Sequence, residues 1–365
     1  MRILAIEPFY GGSHKQFLDG LCAHSEHEFD LFCLPARKWK WRMRGAALNF
    51  AEMLDAHDKP IDLVLVSDYL ALADLIGLRP ERMAGIPTAV YFHENQLTYP
   101  VQEESERDYQ FAFTNIMTCL TADRVFFNSD FHRTSFLDAL GPFLARMPDC
   151  RPGGIVERIK WKSETLPLGV DLSAFDAYRA ARRSADDPAL ILWNHRWEYD
   201  KNPEEFFSVL LDLAESGLRF DVAVAGETFR SYPPIFDEAK ERLGERVVQF
   251  GYLPSEEAYA RLLWEADIVV STAIHEFFGI AVVEAMYCDC FPLLPKRLSY
   301  PELIPEALHK KHLYTTPAML KRRLDRVVRN IDATRASRFS DHCGRFAWER
   351  IGPLYDRKLA EVAGH

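Results

Sequence analysis

The sequence predicts an α/β chain of two doubly wound, Rossmann-like domains. Three observations predict it. The length, 365 residues, suits two domains at about 150 residues each. Short apolar runs alternate with longer amphipathic stretches throughout. Those runs are continuously apolar, not alternating, as in parallel strands covered on both faces. With 48% hydrophobic and 27% charged residues, a sizeable core is available and global disorder is excluded.

In the first half, RILAI (2–6), DLVLV (62–66), TAVYF (88–92) and RVFFN (124–128) read as buried strands. In the second half, ALILWN (189–194), FDVAVAG (220–226), RVVQF (246–250), DIVVST (267–272) and CFPLL (290–294) do so. Two such series of strands and helical spacers imply two doubly wound sheets. The seam falls near 170–188, where DAYRAARRSADDP is polar and lacks apolar periodicity. This gives a first domain over 1–175, a second over 185–344 and a terminal amphipathic helix within 345–365, kinked at Pro353. A pair of doubly wound domains holds ligands in the crevice between them, at the carboxyl ends of strands.

No run approaches the roughly 20 apolar residues of a membrane-spanning helix. Glu7 breaks the only short apolar stretch at the start, so no signal peptide is read there. The seven cysteines are scattered, and Cys288 and Cys290 form a lone C-x-C. Neither a disulfide framework nor a structural zinc is expected, and a reducing cytoplasm is.

The formal charge of −10 argues by itself against a nucleic-acid partner. The charge is segregated, however. RKWKWRMR (37–44) holds five basic and no acidic side chains; 151–162 holds four against one; 309–330 holds seven against one. A local polyanion site on an acidic body is compatible with that pattern.

The strongest chemical signal is HEFFGIAVVEAM (275–286). It follows a strand, and a helix should open near Gly279, where glycine allows close backbone approach. Free amides and the positive end of a new helix suit a diphosphate. Glu276 lies just before that helix and Glu284 inside it, within reach of a ribose. Two incidental glutamates at a buried helix start are the plain alternative. In WNHRWEYDKNPEEF (193–206), Arg196 and Lys201 sit between a strand and a helix opened by Pro203, and could clamp a diphosphate; ordinary surface cations are the alternative. EPFYGGSHKQF (7–17) places Gly11 and Gly12 after the first strand, suggesting close approach to phosphate or acceptor, with His14 either functional or a cap. It is not G-x-G-x-x-G, which disfavours a dinucleotide. In YFHENQLTYP (91–100), His93 follows a strand, and Asn95, Gln96 and Tyr99 add polar and stacking groups for an acceptor.

Residues 250–286 resemble the donor half of retaining GT-B glycosyltransferases, specifically glycosyltransferase family 4. The resemblance implies a GT-B fold, two domains facing a central cleft, with the terminal helix crossing back to the first domain. It implies that Glu276 contacts the donor sugar and Glu284 the ribose, while Phe277, Phe278 and Gly279 offer backbone amides. It also implies that Arg196 and Lys201 hold the diphosphate and that His93 touches the donor sugar or reaction centre. FNSDFHRTSF (127–136) and PLGVDLSAF (167–175) fit the same family, with Leu168 where asparagine is common. Downstream, CDCFPLLPKRLSYPEL replaces the usual small-Gly-x-Pro-Val.

Together, EPFYGGSHKQF, YFHENQLTYP, FNSDFHRTSF, LPLGVD and NHRWEYDKNPE are similar to the glycosyltransferase-like family whose activity is α-mannosyl transfer to queuosine in tRNA. That likeness spans nearly the whole chain. It implies GDP-mannose as donor and the cyclopentene diol of queuosine, in the anticodon loop of tRNA-Asp, as acceptor. His14, Asn95 and Gln96 would then face the acceptor. Lys38, Trp39, Lys40, Trp41, Arg42 and Arg44 would meet RNA, by phosphate neutralisation and base stacking. Trp39 and Trp41 alternate as on one face of a strand or extended loop; a solvated basic loop, or a helix with buried tryptophans, is the alternative. KRRLDRVVR (321–329) reads as an ordinary amphipathic helix. The expected chemistry is retaining and metal-independent, since no Asp-x-Asp follows a strand. Competing functions are a family 4 transferase acting on a lipid or small molecule, and a non-catalytic RNA-binding protein on the same fold.

Overall fold

Two six-stranded parallel sheets organise the chain. The computed structural model describes residues 1–101, 108–179, 183–184, 186–228 and 232–364. One unit comprises Met1–Val170 with the terminal segment from Trp348; the other comprises Asp171–Ala347. Of the stretch read as a seam, residues 180–182 and 185 lie outside the described residues.

The first sheet holds β1 (Arg2–Tyr10), β2 (Glu28–Pro35), β3 (Leu63–Ser67), β4 (Thr88–Phe92), β5 (Arg124–Phe127) and β6 (Ser163–Thr165). Their order is β2-β1-β3-β4-β5-β6, and all pairs are parallel. Helix α1 (Gly12–His24) packs against the terminal helix Trp348–Ala363. Helices α2 (Trp39–Asp55), α3 (Tyr109–Thr121) and α4 (Asp130–Leu144) share one core with Leu4, Ile6, Val64, Val66, Val90 and Phe92. Coverage by helices is why these strands read as unbroken apolar runs. The chain leaves β1 for β2 on one side and returns on the other at β3. Ligands gather at such a switch point in a doubly wound sheet.

Trp348 fixes the terminal helix. A Cβ at Gly20 would lie 2.0 Å from its indole, and one at Gly169 would lie 2.4 Å away. The slot therefore needs two glycines, and Gly169 in PLGVD serves packing. Tyr355 Oη donates to the Pro167 carbonyl at 2.9 Å, and the Glu26 amide donates to the Asp356 carboxylate at 3.0 Å.

The second sheet holds β7 (Ala189–Asn194), β8 (Phe220–Ala225), β9 (Val247–Gly251), β10 (Ile268–Val270), β11 (Phe291–Pro295) and β12 (Leu313–Tyr314). Their order is β12-β11-β10-β7-β8-β9, again all parallel. Its switch point lies between β7 and β10. Helices α5 (Pro203–Glu215), α6 (Glu256–Glu265), α7 (Ile280–Tyr287) and α8 (Pro317–Arg329) cover it. Buried Arg335 grips Asp267 at 2.8 and 3.1 Å, and the same carboxylate accepts from the Leu190 amide at 2.9 Å, tying β10 to β7.

Three strands escape the apolar-run reading: β2, β6 and β12. They are edge strands, and β2 carries Glu28 and Asp30 among its apolar residues because an edge is only partly covered. The basic segment is neither strand nor extended loop. Lys38 takes left-handed backbone at φ 53° and Trp39 opens α2. Two residues apart on a helix is about 200°, so Trp39 and Trp41 cannot share a face.

Candidate active site

In the second unit, the turn after β7 and the loop after β10 are bound to each other through backbone. The Ile274 amide donates to the Asp200 carbonyl at 2.8 Å. Thr272 Oγ1 donates to the Lys201 and Asn202 carbonyls, both at 2.9 Å. Arg297 donates to the Ala273 and Thr272 carbonyls at 2.9 and 2.8 Å, and Ser299 to that of Phe278 at 3.0 Å. The segment that replaces small-Gly-x-Pro-Val thus braces the loop from below.

Lys201 lies buried at this junction, donating to the His275 carbonyl at 2.9 Å. Its Nζ is 3.1 Å from Asp200 Oδ2 and 3.4 Å from Glu276 Oε2. Burial opposes the ammonium, but Glu276 and Asp200 outweigh it, and its pKa is raised. Burial likewise opposes the Glu276 carboxylate, but Lys201 outweighs it and its pKa is lowered. The pair is charged on both sides. His195 and His275 flank it, and burial together with Lys201 pushes each down to about 4, so both are neutral at pH 7. Arg196 differs from Lys201. Its side chain is 47% exposed and lies 3.1 Å from Glu198.

Gly279 precedes α7 at φ 100°, left-handed backbone that favours glycine. Phe277 and Phe278 before it are buried. One turn into α7, Glu284 accepts from Tyr259 Oη at 2.8 Å, which itself accepts from Asn194 Nδ2 at 3.1 Å. Burial lifts Glu284 to about 7 against the pull of Tyr259. A vicinal diol donating to that carboxylate would favour its charged form. The β7 turn also needs Gly226, where a Cβ would fall 1.8 Å from the His195 carbonyl oxygen.

In the first unit, side chains converge from the ends of β1, β3 and β4. Gly11 is extended, at φ −170°, and a Cβ there would meet Ala36 at 2.4 Å. Gly12 is left-handed at φ 53° and opens α1. His14 Nδ1 bonds Glu7 Oε2 at 2.9 Å, while Glu7 Oε1 accepts from the Phe9 amide at 2.7 Å. Burial disfavours a charged His14, but Glu7 outweighs it and raises the pKa from 6.5 to about 9. The His93 ring lies 4.1 Å from that of His14. Burial, then the His14 charge, hold His93 neutral. Its amide donates to Asp68 Oδ1 at 2.9 Å, and burial pushes the Asp68 carboxyl well up. Glu7, His14 and His93 each place a potential ligand atom within 4.8 Å of the others.

Residues 2–170 match the family described as tRNA-queuosine alpha-mannosyltransferase N-terminal, and residues 174–340 match glycosyl transferases group 1. A tRNA-queuosine alpha-mannosyltransferase of Drosophila melanogaster is 43% identical over 329 residues, covering 88% of this chain and 85% of that one. The chain belongs to the tRNA-queuosine alpha-mannosyltransferase family. It is a glycosyltransferase. A GDP-mannose-dependent phosphatidylinositol dimannoside mannosyltransferase of Mycobacterium tuberculosis is 24% identical over 335 residues, covering 83% of this chain and 82% of that one. Among solved structures, sucrose-phosphate synthase from Thermosynechococcus elongatus superposes with a TM-score of 0.74 at 15% identity, covering 100% of both chains. Anabaena Alr3699/HepE in complex with UDP does so at 0.67 and 14%, again covering 100% of both. The fold is GT-B.

Within this family chain, the structure brings Lys201, Glu276 and Gly279 into one neighbourhood and His14 beside His93. It gives other expected residues local tasks. Asn95 is fully buried, and its Oδ1 accepts from the Leu97 and Thr98 amides at 3.1 and 2.8 Å, forming a turn. Gln96 Nε2 donates to Glu94 at 3.0 Å. The basic segment is split: Trp39 packs on Phe111 and Tyr69, Trp41 is 78% exposed, and Lys40 lies 5.6 Å from the Trp39 ring. Arg42 donates to the Pro35 carbonyl at 3.2 Å and Arg44 to Thr114 at 3.3 Å. In α8, Leu320, Leu324 and Val328 face inward.

Residues missed in sequence are Glu7, Asp68, Tyr69, Glu94, Asn194 and Tyr259. Glu7 stood three residues before Tyr10 in the first motif, and a seven-residue step to His14 across a strand–helix turn was the available signal. The others are joined only by the sheets.

Proposed function

We propose that this enzyme moves mannose from GDP-mannose, with retention, onto the cyclopentene diol of queuosine in the anticodon loop of tRNA-Asp. The family match over residues 2–170 supports the acceptor. The observation that carries the donor side is the buried Lys201 ammonium beside Glu276, clamped between the turns that follow β7 and β10.

The glycosyl C–O bond to the diphosphate breaks with both electrons on the phosphate oxygen. Lys201, Arg196 and the amides at Gly279 stabilise that charge. Glu276 orients the sugar and Glu284 the ribose. The acceptor hydroxyl attacks the oxocarbenium-like carbon on the face the phosphate leaves, and its proton passes to the departing phosphate. Neutral His93 contacts the sugar or reaction centre. Fixed cations and amides do the work at the diphosphate that a divalent ion does elsewhere, so transfer should persist in chelator. The exposed Trp41 and the cations of 38–44 hold the RNA.

No helix among the described residues is long and apolar enough to cross a membrane. All seven cysteines are free, which supports a reducing, cytoplasmic setting.

The test is incubation with GDP-mannose and bulk tRNA, with and without queuosine, followed by nucleoside mass analysis. One hexose added to queuosine of tRNA-Asp alone is expected, with or without chelator. Consumption of GDP-mannose with queuosine unmodified would overturn the acceptor.

A further inference from the structure

The ends of β3 and β4 carry a carboxylate that the mechanism above leaves unused. Glu94 follows His93 and is partly exposed. Tyr69 Oη donates to its Oε1 at 2.5 Å and Gln96 Nε2 to the same oxygen at 3.0 Å. Among the described residues no hydrogen bond is made to Oε2. Two donors on one oxygen fix the carboxylate and leave its second oxygen available to a partner.

The surroundings favour a cation. The Tyr69 ring is met by Phe9 at 5.6 Å, His14 at 5.0 Å and Trp39 at 6.2 Å. Phe9 and Trp39 are partly exposed. Glu7 in the same cluster is paired with His14, and Asp68 accepts from the His93 amide beside them. Asp68 Oδ2, fully buried, accepts no hydrogen bond among the described residues. Carboxylates against aromatic faces are the pattern that recognises ammonium groups.

Queuosine has carbon in place of the N7 of guanosine, and from that carbon a methylene and a secondary amine lead to the cyclopentene diol; the amine is protonated at neutral pH. We propose that Glu94, aimed by Tyr69 and Gln96, binds that secondary ammonium and thereby separates the modified base from guanosine. The inference rests on the queuosine acceptor proposed above. Glu94 is then a specificity residue, acting through acceptor binding with no part in breaking the donor bond.

Two competitive fragments test it: the cyclopentene diol bearing a methylamino group, and its methyl ether, in which oxygen replaces the NH. Inhibition of transfer to queuosine-containing tRNA is measured for the wild type, Glu94→Gln and Tyr69→Phe. The wild type should bind the amine about 10-fold or more tighter than the ether. Glu94→Gln should bring the two within about twofold, with GDP binding unchanged as evidence of an intact second unit. Tyr69→Phe should give an intermediate preference. Equal inhibition by both fragments in a wild type that mannosylates queuosine would overturn the inference and leave the acceptor standing. So would an undiminished amine preference in a folded Glu94→Gln. A wild type that fails to mannosylate queuosine would remove the acceptor itself, and this inference with it.

Discussion

The two sheets are both six-stranded and parallel but differ in strand order. The second carries an extra step on one side of its switch point, β9 beyond β8 and β7, where the first has only β2 beyond β1. Each gathers polar residues at its switch point, but they neutralise buried charge differently. In the second unit Lys201 and Glu276 face each other, and the turn after β7 and the loop after β10 are held by hydrogen bonds to their backbone carbonyls. In the first, an imidazolium at His14 answers Glu7, with neutral His93 and the buried Asp68 alongside. A lysine keeps its charge across the whole physiological range, whereas a histidine titrates near it. On the donor and acceptor assignment proposed above, the donor side is built to be constant and the acceptor side to be responsive. Three experiments can break that contrast.

The largest effect should come from the constant side. Replacing Lys201 by alanine removes the only buried ammonium in the described junction and should lower kcat by about 100-fold or more. Arg196→Ala should cost only about 10-fold, because a half-exposed guanidinium works in a higher effective dielectric. Single-turnover transfer at saturating donor measures both. Equal losses would mean that burial does not set the ranking.

The difference between the units also explains what could be read from the sequence. The donor loop was legible because its parts are local: Glu276, Gly279 and Glu284 fall within nine residues. Its supports were not. Asn194, Tyr259 and Glu284 form one chain of hydrogen bonds from three separate segments. On the other side, Tyr69 and Glu94 meet only because β3 and β4 are neighbours, with Ser67 opposite Tyr91. Strands covered on both faces announced themselves as apolar runs, while the edge strands β2, β6 and β12 did not. PLGVD was legible only as a family likeness, and the structure shows that Gly169 is there for the indole of Trp348. Trp39 and Trp41 were misplaced because a period of two was assumed where the backbone turns helical.

The responsive side gives the next effect. His14 carries a pKa of about 9 in the fold against 6.5 for a free imidazole. A raised basic pKa stabilises fully below pH 6.5, and that stabilisation is lost as pH rises through 9. Asp68 and Glu94 also face the group, and both favour its charge. Glu7→Gln should remove most of the shift, roughly 2–4 kcal/mol at neutral pH. Denaturation followed from pH 6 to 10 should show wild-type stability falling and the variant nearly level, the two converging at the alkaline end. Parallel curves would mean that Glu7 does not hold the proton.

The smallest effect tests whether the donor side is as constant as Lys201 makes it, because Glu284 titrates at about 7. Burial raises it, and the Tyr259 hydroxyl pulls it back. If the ribose diol donates to the carboxylate, GDP should bind to the charged form. Affinity should then fall roughly tenfold between pH 8 and pH 6. Glu284→Gln should bind weakly and without pH dependence over that range. Tyr259→Phe removes the bond that favours the charged form and should move the midpoint to higher pH, while leaving the alkaline affinity close to that of the wild type. Calorimetric titration with GDP at four pH values separates these cases. A wild-type affinity level from pH 6 to 8 would show that the nucleoside does not rest on Glu284.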